Sequence, residues 1–380
     1  MRALLAFDKF KDALTARQAC EFAADALRQH HPDWQLDLCP LADGGEGFAE
    51  ILTHAAGGRM QTLPVSGPRG EQVDAAFGLV PLRNIPAAAR ALLQIENSPV
   101  AVIEMASASG LALLPPDRRD LWLASSRGTG ELIRAAHAQG AAAILLGVGG
   151  SATNDLGLGA LAALGLEFRS ATGELIAVPV PAEWKQVARI EGAVLHTLPP
   201  VCIACDVSNP LLGPRGCAAI YGPQKGLAPA DLAQLEHASA RLALMLTAHC
   251  GQPDTLMDLP GAGAAGGIAF GLMTAAGATL LPGADLVAAW LDLDARLTAA
   301  DLVLTGEGRF DASSLSGKGP GAVAGRAHAF GKQTHIFAGV VSMPPRAGLY
   351  AHGITPPGVP LEEALRTAGP NLAAAVARAL

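Results

Sequence analysis

The stretch Ala142-Ala143-Ile144-Leu145-Leu146-Gly147-Val148-Gly149-Gly150-Ser151-Ala152-Thr153-Asn154-Asp155 decides the fold class. Residues 142–148 form a short, almost unbroken apolar run, as a strand covered on both faces in a parallel sheet does. The run breaks into glycines and small polar residues, and helical spacing resumes over 158–164. Strand, glycine turn and helix in that order are the repeating unit of an α/β fold.

The same order recurs on both sides. Residues 3–7 are an apolar run, followed by the loop Asp8-Lys9-Phe10-Lys11-Asp12. Thr15-Ala16-Arg17-Gln18 then has the spacing of a capping box, and Ala19, Phe22, Ala23, Ala26 and Leu27 follow at helical intervals. A strand over 36–41 is expected to end in Asp43-Gly44-Gly45-Glu46-Gly47, with a helix over 48–56. Residues 73–79 and 100–104 read as strands around a surface excursion at 83–98. A helix over 125–139 leads into the opening stretch. Residues 201–205 read as a strand ending at Asp206, and 232–247 as an amphipathic helix. A strand over 302–305 runs into Gly306-Glu307-Gly308-Arg309. A helix over 321–330 precedes a strand at 335–338, and 362–380 is helical with a break at Gly369-Pro370. The texture changes near Gly67-Pro68 and Gly70, and again near Gly283-Ala284-Asp285. No repeat of solenoid length is present. Ligands of open α/β sheets bind outside the carboxyl ends of the strands, so these loops are expected to converge on one cleft.

Composition narrows the function. A chain of 380 residues exceeds what one core usually supports, so two domains are expected. Hydrophobic residues make up 50% but aromatics only 4%, which implies a core of small aliphatic side chains. The net charge is −7 with no Lys/Arg-rich run, so there is no electrostatic footprint for nucleic acid. An anionic substrate would have to be held by a few placed cations and a metal. The six cysteines are too sparse for a disulfide framework, and Cys202-Ile203-Ala204-Cys205 has no second pair at zinc spacing, so it reads as core. Residues 259–284 carry no charge, but they contain Pro260 and Pro282 and are flanked by Asp258 and Asp285. They read as a buried loop and helix and not as a membrane span. The apolar run at 3–7 is too short for a signal peptide, so the cytoplasm is the expected compartment.

Several motifs suit phosphoryl transfer. Gly149, Gly150, Ser151, Thr153, Asn154 and Asp155 form a glycine turn into a helix, which is either an anion cradle or a tight turn with an N-cap. It is not a P-loop, because no Gly-Lys-Ser/Thr follows. Gly261-Ala262-Gly263-Ala264-Ala265-Gly266 matches GxGxxG with Asp285 near ribose-binding spacing, but no apolar strand precedes it. Asp43 with Glu46, Asp206, and Glu307 with Asp311 are loop carboxylates of the kind that bind Mg²⁺, or else simple caps. Lys9, Lys11, Lys225, Arg309 and Lys318 lie in strand-end or glycine-containing loops. Cations for phosphate, carboxylates for a metal and a carboxylate to accept a hydroxyl proton are the parts this chemistry needs.

Ordered blocks of the chain resemble the bacterial glycerate kinases of the glycerate-2-kinase type. They are Asp8-Lys9-Phe10-Lys11, Ala42-Asp43-Gly44-Gly45-Glu46-Gly47, Ile103-Glu104-Met105-Ala106, Ser126-Arg127-Gly128-Thr129-Gly130-Glu131 and the turn at 149–155. Ala204-Cys205-Asp206-Val207, Gly222-Pro223-Gln224-Lys225-Gly226, the glycine run at 260–267, Thr305-Gly306-Glu307-Gly308-Arg309 and Gly317-Lys318 complete them. The resemblance implies an α/β protein of two domains. A flavodoxin-like parallel-sheet domain is built from both chain ends (1–65 and 286–380), and a mixed α/β domain is inserted (66–285). It also implies ATP with Mg²⁺ and D-glycerate as acceptor. The product would be a phosphoglycerate, 2-phosphoglycerate favoured, in organic-acid and glyoxylate-linked carbon metabolism. No membrane or nucleic-acid partner is implied, and a homodimer is left open.

With that resemblance, Asp206 is the first choice for proton acceptor and Asp43 the second, with Lys11 and Lys225 as catalytic cations. Asp43, Glu46 and Asp206 are the expected metal ligands. Asp8, Gly44, Gly45, Glu46, the turn at 149–155, Gly263, Gly266, Glu307, Arg309 and Lys318 are the expected substrate and nucleotide contacts. Three departures stand out: Lys9 where the family usually has serine, Leu156 where it usually has glycine, and the run Val340-Val341-Ser342-Met343-Pro344-Pro345. The rival readings are a nicotinamide-dependent dehydrogenase, resting on residues 261–266, and a non-catalytic sensor that kept the fold.

Overall fold

The structure is a computed structural model that describes residues 1–311, 314, 319–342 and 348–380. Its strands, in chain order, are β1 (Arg2–Phe7), β2 (Gln35–Leu38), β3 (Arg59–Ser66), β4 (Gln72–Val80) and β5 (Val100–Glu104). They continue as β6 (Ala143–Gly147), β7 (Glu167–Arg169), β8 (Arg189–Glu191), β9 (Val201–Ala204) and β10 (Thr279–Leu281). The last are β11 (Leu302–Phe310), β12 (Gln333–Val341) and β13 (Leu349–Gly353). The chain divides into two compact units, Met1–Asp43 with Ala284–Leu380, and Gly44–Gly283.

The first unit holds a five-stranded sheet in the order β13-β12-β11-β1-β2, with every pair parallel. Counted along this unit alone the order is 2-1-3-4-5, the doubly wound order of flavodoxin-like sheets. Leu5, Phe7, Leu304 and Phe337 share one core with Ala19, Ala23 and Leu27 of the helix Ala16–His30 and with Leu372 and Val376 of the helix Ala368–Ala379. Phe310, Ile336 and Ala338 share another with Ala324 of the helix Gly319–Ala329. Neighbouring residues of β12 therefore serve opposite faces, and both faces are covered. That is why these strands read as unbroken apolar runs. The capping box forms as read. The Gln18 N–H donates to the Thr15 hydroxyl at 3.2 Å, and the Thr15 N–H donates to Gln18 Oε1 at 2.9 Å.

The second unit holds a six-stranded mixed sheet in the order β10-β9-β6-β5-β4-β3. β10, β9, β6 and β5 run parallel, whereas β4 and β3 are antiparallel additions. β3 was not anticipated, because Pro64 interrupts its pattern. A proline is tolerated there because β3 is an edge strand. It crosses the division expected at 65/66 and pairs along its length with β4. β7 and β8 form a separate two-stranded ribbon.

The uncharged stretch 259–284 folds as a turn, the helix Ala264–Ala276 and β10. Among the described residues no helix is long and apolar enough to cross a membrane. The start of that helix is irregular: Ala265, Gly266 and Gly267 have φ of 51°, 69° and 88°. Glycine is required at 266, where a Cβ would lie 2.0 Å from the Thr153 carbonyl oxygen. Gly266, the last glycine of the GxGxxG run, and Gly267 after it thus let this turn press on the backbone of 153–156, and the Leu156 N–H donates to the Gly266 carbonyl at 3.0 Å. Asp285, at ribose-binding spacing, lies in the helix Gly283–Trp290 and pairs with Arg326 at 2.6 Å. All six cysteines are unlinked.

Candidate active site

In the second unit the loops after β5, β6, β9 and β10 share one edge, because those strands are parallel. Two glycine loops pack directly on each other there. A Cβ on Gly149 would lie 2.8 Å from the Gly45 backbone, and one on Gly147 would lie 2.6 Å from the Gly44 carbonyl. The Gly149 N–H donates to that carbonyl at 2.9 Å. The structure thus brings Gly44, Gly45 and Glu46 together with Gly149 and Gly150. Glu46 and Asp206 are exposed. The Glu46 carboxylate lies over Gly150, and the Asp206 carboxylate lies 3.0 Å from where a Cβ on Gly283 would be. Exposed carboxylates in glycine loops match the hard-oxygen preference of Mg²⁺, which takes only one or two of them and keeps several waters. Among the described residues no group of three or more His, Cys, Asp or Glu is arranged to hold a metal ion.

Behind this edge the charges are buried. Lys225 is 3% exposed and donates to the Ser151 hydroxyl at 2.8 Å and to the Thr153 carbonyl at 2.7 Å. Burial pulls its pKa down to about 8. Asp155 is fully buried and accepts from the Ser126 N–H at 2.7 Å, the Ser126 hydroxyl at 2.8 Å, and the Gly157 and Gly159 N–H groups at 3.2 Å. Burial pushes its carboxyl up, and the four donors pull against that. Thr153 and Asn154 are also fully buried, and Thr153 Oγ1, Asn154 Oδ1 and Asn154 Nδ2 find no hydrogen-bond partner among the described residues. Gly263 is pressed on the Pro210 carbonyl, 2.3 Å from where its Cβ would be.

The first unit presents its own group at the carboxyl ends of β1 and β11, where the strand order reverses. A doubly wound sheet takes its ligand at such a point. Asp8 directly follows β1 and is 8% exposed. It accepts from the Lys9 N–H at 2.7 Å. Burial first, and then the Asp43 carboxylate, push its pKa up to about 7. The Lys9 ammonium lies 3.3 Å from Asp43. Glu307, on β11, is raised by burial against a hydrogen bond from Ser314, and its Oε1 is buried without a partner among the described residues. Lys11 and Arg309 are exposed, Lys11 in the tight turn that joins Phe10 to Leu14. Lys318 lies outside the described residues.

Two residues quoted in the blocks at 103–106 and 126–131, to which the sequence assigned no site role, support these loops. Ser126 holds Asp155 and also accepts from the Ala160 N–H at 3.0 Å. Its signal was a serine just ahead of a helix. Glu104 accepts from the Ala49 N–H at 3.0 Å at the start of the helix Phe48–Ala55, and its signal was a carboxylate closing an apolar strand.

The family model described as the glycerate kinase family matches residues 3–380. The glycerate kinase of Bacillus subtilis (strain 168) is 38% identical over 377 residues, covering 97% of this chain and 94% of the relative. The glycerate 2-kinase of Escherichia coli (strain K12) is 36% identical over 371 residues, covering 93% and 89%. The crystal structure of a Salmonella typhimurium LT2 protein, provisionally named glycerate kinase 2, is 37% identical with a TM-score of 0.78, covering 100% of this chain and 97% of that one.

Proposed function

The chain belongs to the glycerate kinase family, and from that premise we propose that it moves the γ-phosphoryl group of ATP to a hydroxyl of D-glycerate, giving 2-phosphoglycerate, with Mg²⁺ as the metal. The chain is a phosphotransferase, with glycerate and ATP as the substrates of its family. The observation that supports this reading is the family match from residue 3 to residue 380, which takes in every loop described above.

In this reading the acceptor hydroxyl gives its proton to Asp206, with Asp43 the second choice. Its oxygen forms the new bond to phosphorus as the bond to ADP breaks. Asp43, Glu46 and Asp206 are the carboxylates offered to Mg²⁺, which when bound would neutralise charge on the transferring phosphoryl group. Lys11, Arg309 and Lys318 are offered to phosphate oxygens. Asp155 changes role: its four donors make it the post that fixes two helix starts, and it stays off the phosphates. ATP as donor makes the cytoplasm the compartment of this reading. The homodimer is tested by light scattering on the purified chain.

The experiment is ADP release from Mg-ATP with D-glycerate, against L-glycerate, tartronate and no acceptor. Turnover confined to D-glycerate is expected, and phosphorus NMR of the product reads the position. Asp206→Asn is expected to lower kcat by about 10²- to 10⁴-fold with an unchanged melting curve. Wild-type kcat in both Asp206→Asn and Asp43→Asn would remove the carboxylates from this role.

A further inference from the structure

We propose that Thr153, Asn154 and Lys225 of the second unit form the subsite that recognises the acceptor, binding the carboxylate and adjacent hydroxyl of a short 2-hydroxy acid and not a nucleotide phosphate. The identity of the acceptor rests on the kinase reading above. The subsite itself rests on polar groups that the fold leaves unpaired.

Thr153 Oγ1 and both polar atoms of the Asn154 amide are buried with no hydrogen-bond partner among the described residues. Folded proteins rarely leave such groups unpaired, and three in two successive residues mark a place for a guest. Lys225 reaches the same turn through its bond to the Thr153 backbone carbonyl. It uses two of its three N–H donors on Ser151 and Thr153, which leaves one without a partner among the described residues.

The resulting set is a Lys225 N–H, the Thr153 hydroxyl and the Asn154 amide N–H₂ as donors, with Asn154 Oδ1 as an acceptor. A carboxylate needs donors, and the hydroxyl next to it needs an acceptor. The neighbouring carboxylate, Asp155, already takes four donors, so its charge is screened from an incoming anion. A triphosphate would call for several cations, and this group has one.

The turn at 261–267 presses on the same backbone, with Gly266 against Thr153 and Asn154. Three successive residues of that turn, one of them Ala265, are held in the left-handed region. L-residues other than glycine are disfavoured there, and such outliers persist at switching and clamping segments. Lifting this turn is the route by which the acceptor would reach Asn154.

Initial rates test the assignment, with glycerate varied at saturating ATP and ATP varied at saturating glycerate. Thr153→Val and Asn154→Ala are compared with the conservative Thr153→Ser, each with a thermal melt. The expected result is a KM for glycerate raised at least about tenfold by Thr153→Val and Asn154→Ala, with the KM for ATP within about twofold. Thr153→Ser should stay near wild type. An equal or larger rise in the KM for ATP would assign the group to the nucleotide. Unmoved KM values, with or without a lowered melting point, would mean that enclosed water satisfies these atoms, and the subsite would fall.

A measurement on the wild-type chain stands if the variants fail to fold. Lactate is expected to compete with glycerate, and glycerol is not. Glycerol competing as well as lactate would overturn the proposal. Absence of ADP release with any glycerate would remove the kinase reading and the ligand with it, whereas wild-type turnover with unmoved KM values removes the subsite alone.

Discussion

Asp155 and Asp8 are both buried aspartates in loops at the carboxyl ends of strands, and they are compensated in opposite ways. Asp155, in the second unit, receives four hydrogen bonds, two of them from Ser126. Asp8, in the first unit, receives the Lys9 N–H and lies near two further carboxylates, Asp43 and Glu307. A carboxylate saturated by backbone and hydroxyl donors is architecture: it ties the starts of two helices together. A carboxyl with few donors and like-charged neighbours is costly to ionise, and it is relieved by protonation or by a cation. Burial alone does not separate the two; the donors among the described residues do.

The strongest challenge to this contrast is Asp155→Ala. It would leave the Ser126, Gly157 and Gly159 donors buried and unpaired, so a stability loss on the order of 3–5 kcal/mol is expected in urea denaturation. A loss under about 1 kcal/mol would place Asp155 with the ligand groups.

Asp8→Asn should do the reverse. The folded-state pKa of Asp8, about 7, lies above its ordinary value of 3.8. Between those pH values the folded chain holds a proton that the unfolded chain has released, so this carboxyl costs stability progressively as pH rises from about 4 to 7. Asparagine removes that cost. The variant is expected to match wild type near pH 4 and to exceed it by about 1–3 kcal/mol at pH 8, read from urea midpoints across pH. A variant less stable than wild type at pH 8 would mean that Asp8 is held ionised by its surroundings.

The smallest effect is expected from Lys9→Met. The pair with Asp43 is partly exposed, so its loss should shift stability by less than about 1 kcal/mol. Lys9 also lowers the pKa of Asp8, so the same variant should move the pH dependence assigned to Asp8 upward. An unchanged profile would detach Lys9 from the Asp8 group.

The parts legible in the sequence were those with local causes. The strands β1, β5, β6, β9 and β11 announced themselves as apolar runs, because central parallel strands are covered on both faces. The capping box at Thr15 and Gln18 was readable from four residues. β3, β10 and β13 were not readable. β3 is an edge strand carrying Pro64, and β10 and β13 also lie at sheet edges, where exposure mixes polar with apolar residues. The C-terminal break was expected at Gly369-Pro370, yet the chain turns at Thr367, and both residues fall in the opening turn of the helix Ala368–Ala379. Proline is accepted there because the first turn has no intrahelical acceptor for its missing N–H.

The candidate site divides in the same way. Loop positions after strands could be read directly, since a glycine-rich break after an apolar run is a local signal. The sequence by itself determined the α/β class, the strand-end loops that carry Asp8, Asp43, Asp155 and Asp206, and through those blocks the family. Only the tertiary structure decided which of those carboxylates is a structural post and which is left under-compensated. It also decided that Lys225 is buried against Ser151 and Thr153 and that Gly266 of the GxGxxG run presses on the loop beside them. The physical reason is that hydrogen-bond partners such as Ser126 for Asp155, or Ser151 for Lys225, lie tens of residues away in the chain. Desolvation and partner count belong to the packed environment, and no local pattern encodes them.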